Sequence, residues 1–143
     1  MKIAVYAIAK DEEKFVDRWY ETAKEADYVC VLDTGSADKT VDKLKSYNCI
    51  VKTKIIQPWR FDVARNESLK IIPQDADVLV CLDLDEIIQP GWAEIIRKKT
   101  FTGRGEGIYM VGAMNHTAGT EYHSTPIKFI QNHTTGRIPF TKC

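Results

Sequence analysis

Short apolar runs rich in Val, Ile and Tyr recur along the chain at residues 3–9, 28–32, 50–56 and 78–82. Their length and β-branched content predict strands. In the first gap Phe15, Val16, Trp19, Tyr20 and Ala23 stand at i, i+1, i+4, i+5 and i+8 with charged residues between them. That spacing puts the apolar side chains on one stripe of a helix of about four turns. A second helix is expected after Ser36 or Asp38 as cap, with Val41 and Leu44 turned inward and its end near Tyr47 and Asn48. A third should run from about Phe61 to Ile72, where Pro73 stops it. A fourth should start at Pro90, suited to a first helical position, and pass Trp92, Ile95 and Ile96 to about Thr100. A Gly-rich connection follows at 102–107, and strand-like runs at 108–114 and 126–131 close the chain. Strands alternating with helices are the pattern of βαβ units, so the chain is expected to form an α/β domain on a mostly parallel sheet. No repeat or linker divides residues 1–143, which predicts a single domain.

Composition narrows the partners. With 143 residues, 44% of them hydrophobic, the chain is long enough to build one core. Its 20 Lys and Arg balance 20 Asp and Glu, which removes the broad basic field that nucleic acid or an anionic membrane would select. No apolar stretch approaches the ~18 residues of a membrane span. Cys30, Cys49, Cys81 and Cys143 lie far apart without a C-x-x-C spacing, and two of them sit in apolar runs, which suggests free thiols and a reducing, cytoplasmic setting.

The chemistry gathers where strands end. Asp11 follows the first strand, Asp33 ends the second, and Asp83 and Asp85 end the fourth. Parallel strands bring their carboxyl ends to one edge of the sheet, where ligands bind in open α/β folds. Four carboxylates on one rim repel unless a cation or a hydrogen-bonding ligand lies among them. In the sharpest element, Val80 to Glu86, an apolar strand ends in D-x-D-E. Residues i and i+2 of an extended chain point to the same side about 6.6 Å apart, within reach of one metal ion. Oxygen-only donors suit Mg²⁺ or Mn²⁺; the alternative is a pair of carboxylates that merely cap a turn. Asp33-Thr34-Gly35-Ser36 reads as a strand-to-helix turn in which Gly35 takes an unusual backbone angle and Ser36 caps the helix. The same tetrapeptide occurs in aspartic proteases, whose all-β architecture disagrees with the helix expected here. Arg65, early in the third helix, is either a solvated surface residue or a counter-charge drawn toward the acidic rim.

Four stretches in order carry a resemblance: Lys10-Asp11-Glu12-Glu13, Asp33 to Thr40, Trp59 with Phe61 to Leu69, and Leu82 to Glu86. Together they resemble the nucleotide-sugar glycosyltransferases of family two, over about residues 1–92. The resemblance implies a Rossmann-like GT-A sheet with helices on both faces, about residues 1–100 forming the nucleotide-sugar-binding half and 101–143 a partial acceptor-side half. It implies a nucleotide-diphosphate sugar as donor, a UDP-sugar first among them, with Mn²⁺ or Mg²⁺ as cofactor and an unidentified acceptor. The end of the first strand, from Ala7 to Asp11 and Glu12, would hold the nucleoside with Asp33, Gly35 and Ser36. Arg65 would approach the base or diphosphate, Asp83 and Leu84 the ribose side, and Asp83 and Asp85 the metal. Transfer would invert the anomeric centre, with an acidic side chain as base.

Two departures stand out. Asp11 replaces an Asn of the family pattern, and the family's members commonly continue well past the strand that Thr125 to Asn132 resembles, which implies a short or C-terminally truncated chain. After Glu86 the remaining carboxylates are Glu94, Glu106 and Glu121; Glu121, near His116 and His123, is the best placed as base. The rival reading is a nucleotide-sugar-binding module without transferase activity of its own, which a second copy or another partner completes. A phosphatase using D-x-D is disfavoured because Ile87 stands where a small hydroxyl residue or Val is expected.

Overall fold

The computed structural model describes residues 1–98 in full and, beyond them, the backbone of three strands at 112–116, 122–126 and 129–131. The Gly-rich connection, Glu106, Glu121 and His133 lie outside the described residues, as does Cys143.

The strands are β1 (Ile3–Ala9), β2 (Tyr28–Asp33), β3 (Ile50–Thr53), β4 (Val78–Cys81), β5 (Glu86–Ile88), β6 (Gly112–His116), β7 (Tyr122–Pro126) and β8 (Phe129–Gln131). The helices are α1 (Glu13–Ala23), α2 (Thr40–Ser46), α3 (Phe61–Leu69) and α4 (Trp92–Lys98). The main sheet has the order β3-β2-β1-β4-β8. Its first four strands are parallel, from Ala9 opposite Asp33 to Tyr6 opposite Cys81, and β8 joins β4 antiparallel at the edge. The α/β expectation therefore holds, with an antiparallel edge strand on a parallel sheet.

The chain moves outward from β1 through β2 to β3 and then crosses to the other side of β1 to lay down β4. Strand order thus reverses beside β1, and the carboxyl ends of β1 and β4 flank a topological switch point, where open α/β sheets form their crevice.

Alternation along β1 sorts its side chains to two faces. Ile3, Val5, Ala7 and Ala9 join Val16 and Trp19 of α1, Leu44 of α2 and Trp92, Ala93 and Ile96 of α4 in the larger core. Ala4 and Tyr6 turn to the opposite core, with Ile72, Ala76 and Leu79 and the partly buried Leu69 at the end of α3. Helices therefore cover both faces. The stripe expected in α1 packs as predicted, with Val16, Trp19 and Ala23 buried and Phe15 and Tyr20 partly so.

Several boundaries differ from the sequence reading. Thr53 ends β3, though the Lys54 N–H still donates to the Asp33 carbonyl at 2.8 Å. A loop with a cis Gln57–Pro58 peptide then leads to α3. That helix ends at Leu69, before Pro73 is reached. Helix α4 begins at Trp92 because Glu25, remote in sequence, accepts the Gly91 and Ala93 N–H groups at 2.8 and 3.3 Å and so caps it. Strands β5 and β7 were not anticipated. They flank β6 in a separate antiparallel sheet, with Glu86 opposite Asn115 and His116 opposite Tyr122. Cys30, Cys49 and Cys81 are free thiols, and no described helix is long and apolar enough to cross a membrane.

Candidate functional site

At the switch point lies an open cleft of about 770 Å³, within the size range of small-molecule sites. One side is polar, formed by Glu12 after β1, Arg65 of α3, and Asp83 and Asp85 after β4; the other is the loop that carries Ile55, Gln57 and Trp59.

Arg65 is the largest charged side chain in the interior, 1% exposed. Its Nη2 donates to both oxygens of Asp83, at 3.0 and 3.3 Å. The guanidinium lies over the rings of Phe61 and Tyr6, 4.9 and 5.9 Å from their centroids, a geometry that favours a cation. Among the described residues its Nε and Nη1 are buried without a hydrogen-bond acceptor. Of the two sequence readings of Arg65, the counter-charge is the one the structure adopts. Unmet donors on a buried cation beside a cleft can be satisfied by an anionic ligand oxygen.

The acidic turn after β4 is held from several directions. The Asp83 N–H donates to the Glu86 carboxylate at 3.0 Å. On the α1 side, the Trp19 indole donates to the Leu82 carbonyl at 3.1 Å and Arg18 to the Asp85 carbonyl at 3.2 Å. Asp83 and Asp85 line the cleft from a turn after β4, closed by the Glu86 N–H donating to the Asp83 carbonyl at 3.0 Å, and not from the extended chain the sequence suggested.

Glu12 completes the polar side. Burial, then the charges of Asp85 and Asp83, push its carboxyl up to about 7, and its Oε2 is buried without a partner among the described residues. Burial raises Glu86 as well, to about 7, with Asp83 and Asp85 adding to the effect. The described lining of the cleft therefore sets three carboxyl groups beside the Arg65 guanidinium and Lys10. Its donor set is all oxygen, as a hard divalent cation requires, and no cluster of three or more His, Cys, Asp and Glu occurs among the described residues. Such an ion would complete its shell from water and ligand oxygens, the usual state of Mg²⁺ in phosphate sites. The residues present fit an ion that arrives with an anionic ligand.

The structure distributes the remaining sequence-predicted residues more widely. Ala7 and Leu84 are fully buried in the larger core, while Ile8, Ala9 and Lys10 line the cleft where the first strand ends. Asp33 is 1% exposed, and its carboxylate accepts the Gly35 and Ser36 N–H groups at 3.2 and 3.1 Å, closing its own turn. Gly35 has φ +108°, which an L side chain rarely adopts. Ser36 accepts the Asp11 N–H at 2.8 Å, and the Asp11 carboxylate accepts the Ala37 N–H at 2.6 Å. It is Asp38 that accepts the Thr40 N–H at the start of α2, at 2.9 Å. Asp11, at φ +53°, occupies a conformation that Asp and Asn tolerate best, which accounts for either residue there. Asp11, Asp33, Gly35 and Ser36 thus brace two loops behind the cleft. Of the four carboxylates expected on one rim, Asp83 and Asp85 reach the cleft, and Glu12 joins them.

Sequence reasoning missed Ile55, Gln57 and the role of Trp59. A loop residue gives no periodic signal, and only the spacing of Trp59 before Phe61 singled it out.

Comparison with known proteins agrees with the fold. No curated protein matches the chain. Among solved structures, TarS 1-349 of S. aureus superposes with a TM-score of 0.57 at 19% identity, over 77% of this chain and 39% of that one. Glucosyl-3-phosphoglycerate synthase from Mycobacterium tuberculosis, in complex with Mn²⁺ and UDP-glucose, gives 0.60 at 22% identity, over 76% and 42%. The mannosyltransferase PcManGT from Pyrobaculum calidifontis, in complex with GDP-Man and Mn²⁺, gives 0.54 at 16% identity, over 67% and 31%. The chain thus spans less than half the length of each of these proteins, and the likeness is one of fold. The family model described as glycosyl transferase family 2 matches residues 5–138, and on that match the chain belongs to glycosyl transferase family 2.

Proposed function

We propose that the chain binds a nucleotide-diphosphate sugar together with Mn²⁺ or Mg²⁺ in the switch-point cleft and transfers the sugar, with inversion, to an acceptor. The observation that carries this reading is the buried guanidinium of Arg65, whose Nε and Nη1 have no acceptor among the described residues, in a cleft that Asp83 and Asp85 also line. An anion and a cation each have a partner there, and a metal-bound diphosphate is both at once. The solved complexes with UDP-glucose or GDP-Man and Mn²⁺ support the donor class.

A bound divalent ion would supply neutralisation of the charge that grows on the departing nucleoside diphosphate. Asp83 and Asp85 offer it carboxylate oxygens. Arg65 offers N–H donors to phosphate oxygens from the wall of the cleft, where partial burial makes such bonds stronger than in bulk solution. Asp11, Asp33, Gly35 and Ser36 hold the loops that shape the nucleoside side. Glu121 is the carboxylate we assign as the base that takes the acceptor's proton; it lies outside the described residues. Three free thiols among the described cysteines fit the reducing cytoplasm we assign as the setting.

Thermal denaturation of the full chain with UDP, GDP, CDP and ADP, with and without Mn²⁺, tests the binding step. A ligand at a hundred times its dissociation constant adds about 2.7 kcal/mol of stability. The expected result is metal-dependent stabilisation by at least one nucleotide that Asp85→Ala abolishes. A folded sample that none of the four stabilises would overturn the reading. Donor turnover with a panel of acceptors then separates a transferase from a binding module.

A further inference from the structure

The donor-site reading assigns charges and hydrogen-bonding edges to a nucleotide: Arg65, Asp83 and Asp85 for the diphosphate and metal, and the turn around Asp33 for the nucleoside. None of these residues supplies a flat apolar face, which a nucleobase needs once it leaves water. The chain places such a face on the loop between β3 and α3.

Among the described residues six large hydrophobic side chains are exposed, and three of them, Ile55, Trp59 and Phe61, line this one cleft. Trp59 is 55% exposed, an unfavourable position for the largest apolar ring unless a partner covers it. Ile55 extends the wall toward the carboxyl end of β2, where its Cγ1 lies 3.5 Å from the position of a Cβ built on Gly35. Phe61 joins the wall to the anion-binding side, since the Arg65 guanidinium lies over its ring. Gln57, on the same loop, lines the cleft, and an amide side chain can both donate to and accept from a base edge. The wall is therefore continuous with the diphosphate pole and spans toward the turn assigned to the nucleoside.

Resting on the donor-site reading, we infer that the loop between β3 and α3 is the nucleobase platform: the base stacks on the Trp59 indole, and the Gln57 amide reads its edge. Stacking holds any base, so Trp59 sets affinity. Gln57 sets preference among bases.

The chain provides its own reporter. It has three tryptophans, and Trp19 and Trp92 are 0% and 1% exposed, so quenching by a ligand in the cleft reports Trp59. The full chain is titrated in Mn²⁺ with the tightest of the four nucleoside diphosphates and, separately, with pyrophosphate, which has no base. The nucleotide should quench fluorescence and pyrophosphate should not. Trp59→Ala should weaken the nucleotide by roughly 5- to 150-fold, the range for one stacked base, and leave pyrophosphate affinity unchanged. Trp59→Phe, which keeps a ring, should recover part of the loss, and Gln57→Ala should alter the ranking of the four nucleotides. Asp85-dependent nucleotide binding that Trp59→Ala leaves intact would overturn the platform while the donor site stands. An equal loss for nucleotide and pyrophosphate would also overturn it, since Trp59 would then only shape the cleft. If neither ligand binds the wild type, the donor-site reading itself fails and the platform falls with it.

Discussion

Arg65 makes the most discriminating perturbation, because its structural and functional contributions have opposite signs. On the unfavourable side stand two buried guanidinium nitrogens, Nε and Nη1, without acceptors among the described residues, each costing about 1–3 kcal/mol. On the favourable side stands the charged hydrogen bond to Asp83, worth about 1.5–3 kcal/mol for a charged pair. That figure is discounted because the Asp83 side chain is 44% exposed. Ring contacts to Phe61 and Tyr6 add about 0.5–1 kcal/mol each. The terms nearly cancel, so Arg65→Met, which keeps most of the buried volume and leaves Asp83 to solvent, should shift stability by less than about 1 kcal/mol, in either direction. Asp83→Ala does the reverse, leaving a buried guanidinium without its counter-charge, and should cost about 2 kcal/mol, below the 3–5 kcal/mol of a fully buried pair. Urea denaturation, compared at constant slope, measures both. Titration with pyrophosphate and Mn²⁺ measures the other half: Arg65→Met should lose at least tenfold in affinity, about 1.4 kcal/mol. A loss of 3 kcal/mol or more in the stability of Arg65→Met, or wild-type pyrophosphate affinity in that variant, would refute the argument that the guanidinium is held for a ligand.

Further expectations concern the surrounding groups. Glu12 has its carboxyl raised by burial and by Asp85 and Asp83, so the folded chain binds more protons than the unfolded one between the ordinary carboxylate range and about pH 7. Its contribution to stability should therefore decline as pH climbs through that window, and Glu12→Gln should flatten the decline in metal-free thermal melts; an unchanged slope would contradict the assignment. Gly35→Ala meets only ordinary contact at Ile55 but must hold φ at +108°, a strain of about 1–3 kcal/mol that denaturation would read. Asp11→Asn keeps both the left-handed backbone and an acceptor for the Ala37 N–H, so its stability should stay within about 0.5 kcal/mol of wild type, whereas Asp11→Ala should cost about 1–2 kcal/mol.

The parts legible in the sequence were those governed by period and order. β1 and β2 followed their hydrophobic runs nearly to the residue, α1 followed its stripe but is 11 residues long, shorter than the four turns expected, and D-x-D-E marked the acidic turn because an apolar strand stopped there. The inward course of Arg65 was foreseeable only through the charge it faces. What the sequence could not display was convergence. Glu12 is half-buried because the ends of β1 and β4 bring it beside Asp83 and Asp85, and Asp33 turns away from the cleft because two N–H groups of its own turn reach it first. Strand β5 is three residues long and polar at its start, too brief for a period-two signal, and it forms by pairing with β6 from much later in the chain. The apolar wall at Ile55 and Trp59 lay hidden for a similar reason: local sequence does not tell exposure from burial in a loop.

The attachment of the acidic turn to α1 bears on how readily the site can evolve. Arg18 and Trp19 hold the Asp85 and Leu82 carbonyls, so the turn is held by a helix more than sixty residues away in sequence. Substitutions at Asp83 or Asp85 can then change the charge offered to a ligand without letting the backbone drift, while substitutions at Trp19 shift both carboxylates together. Selection acting on ligand preference can therefore work on the rim one side chain at a time, and the α1 contact behaves as a hinge pin whose loss no rim substitution repairs.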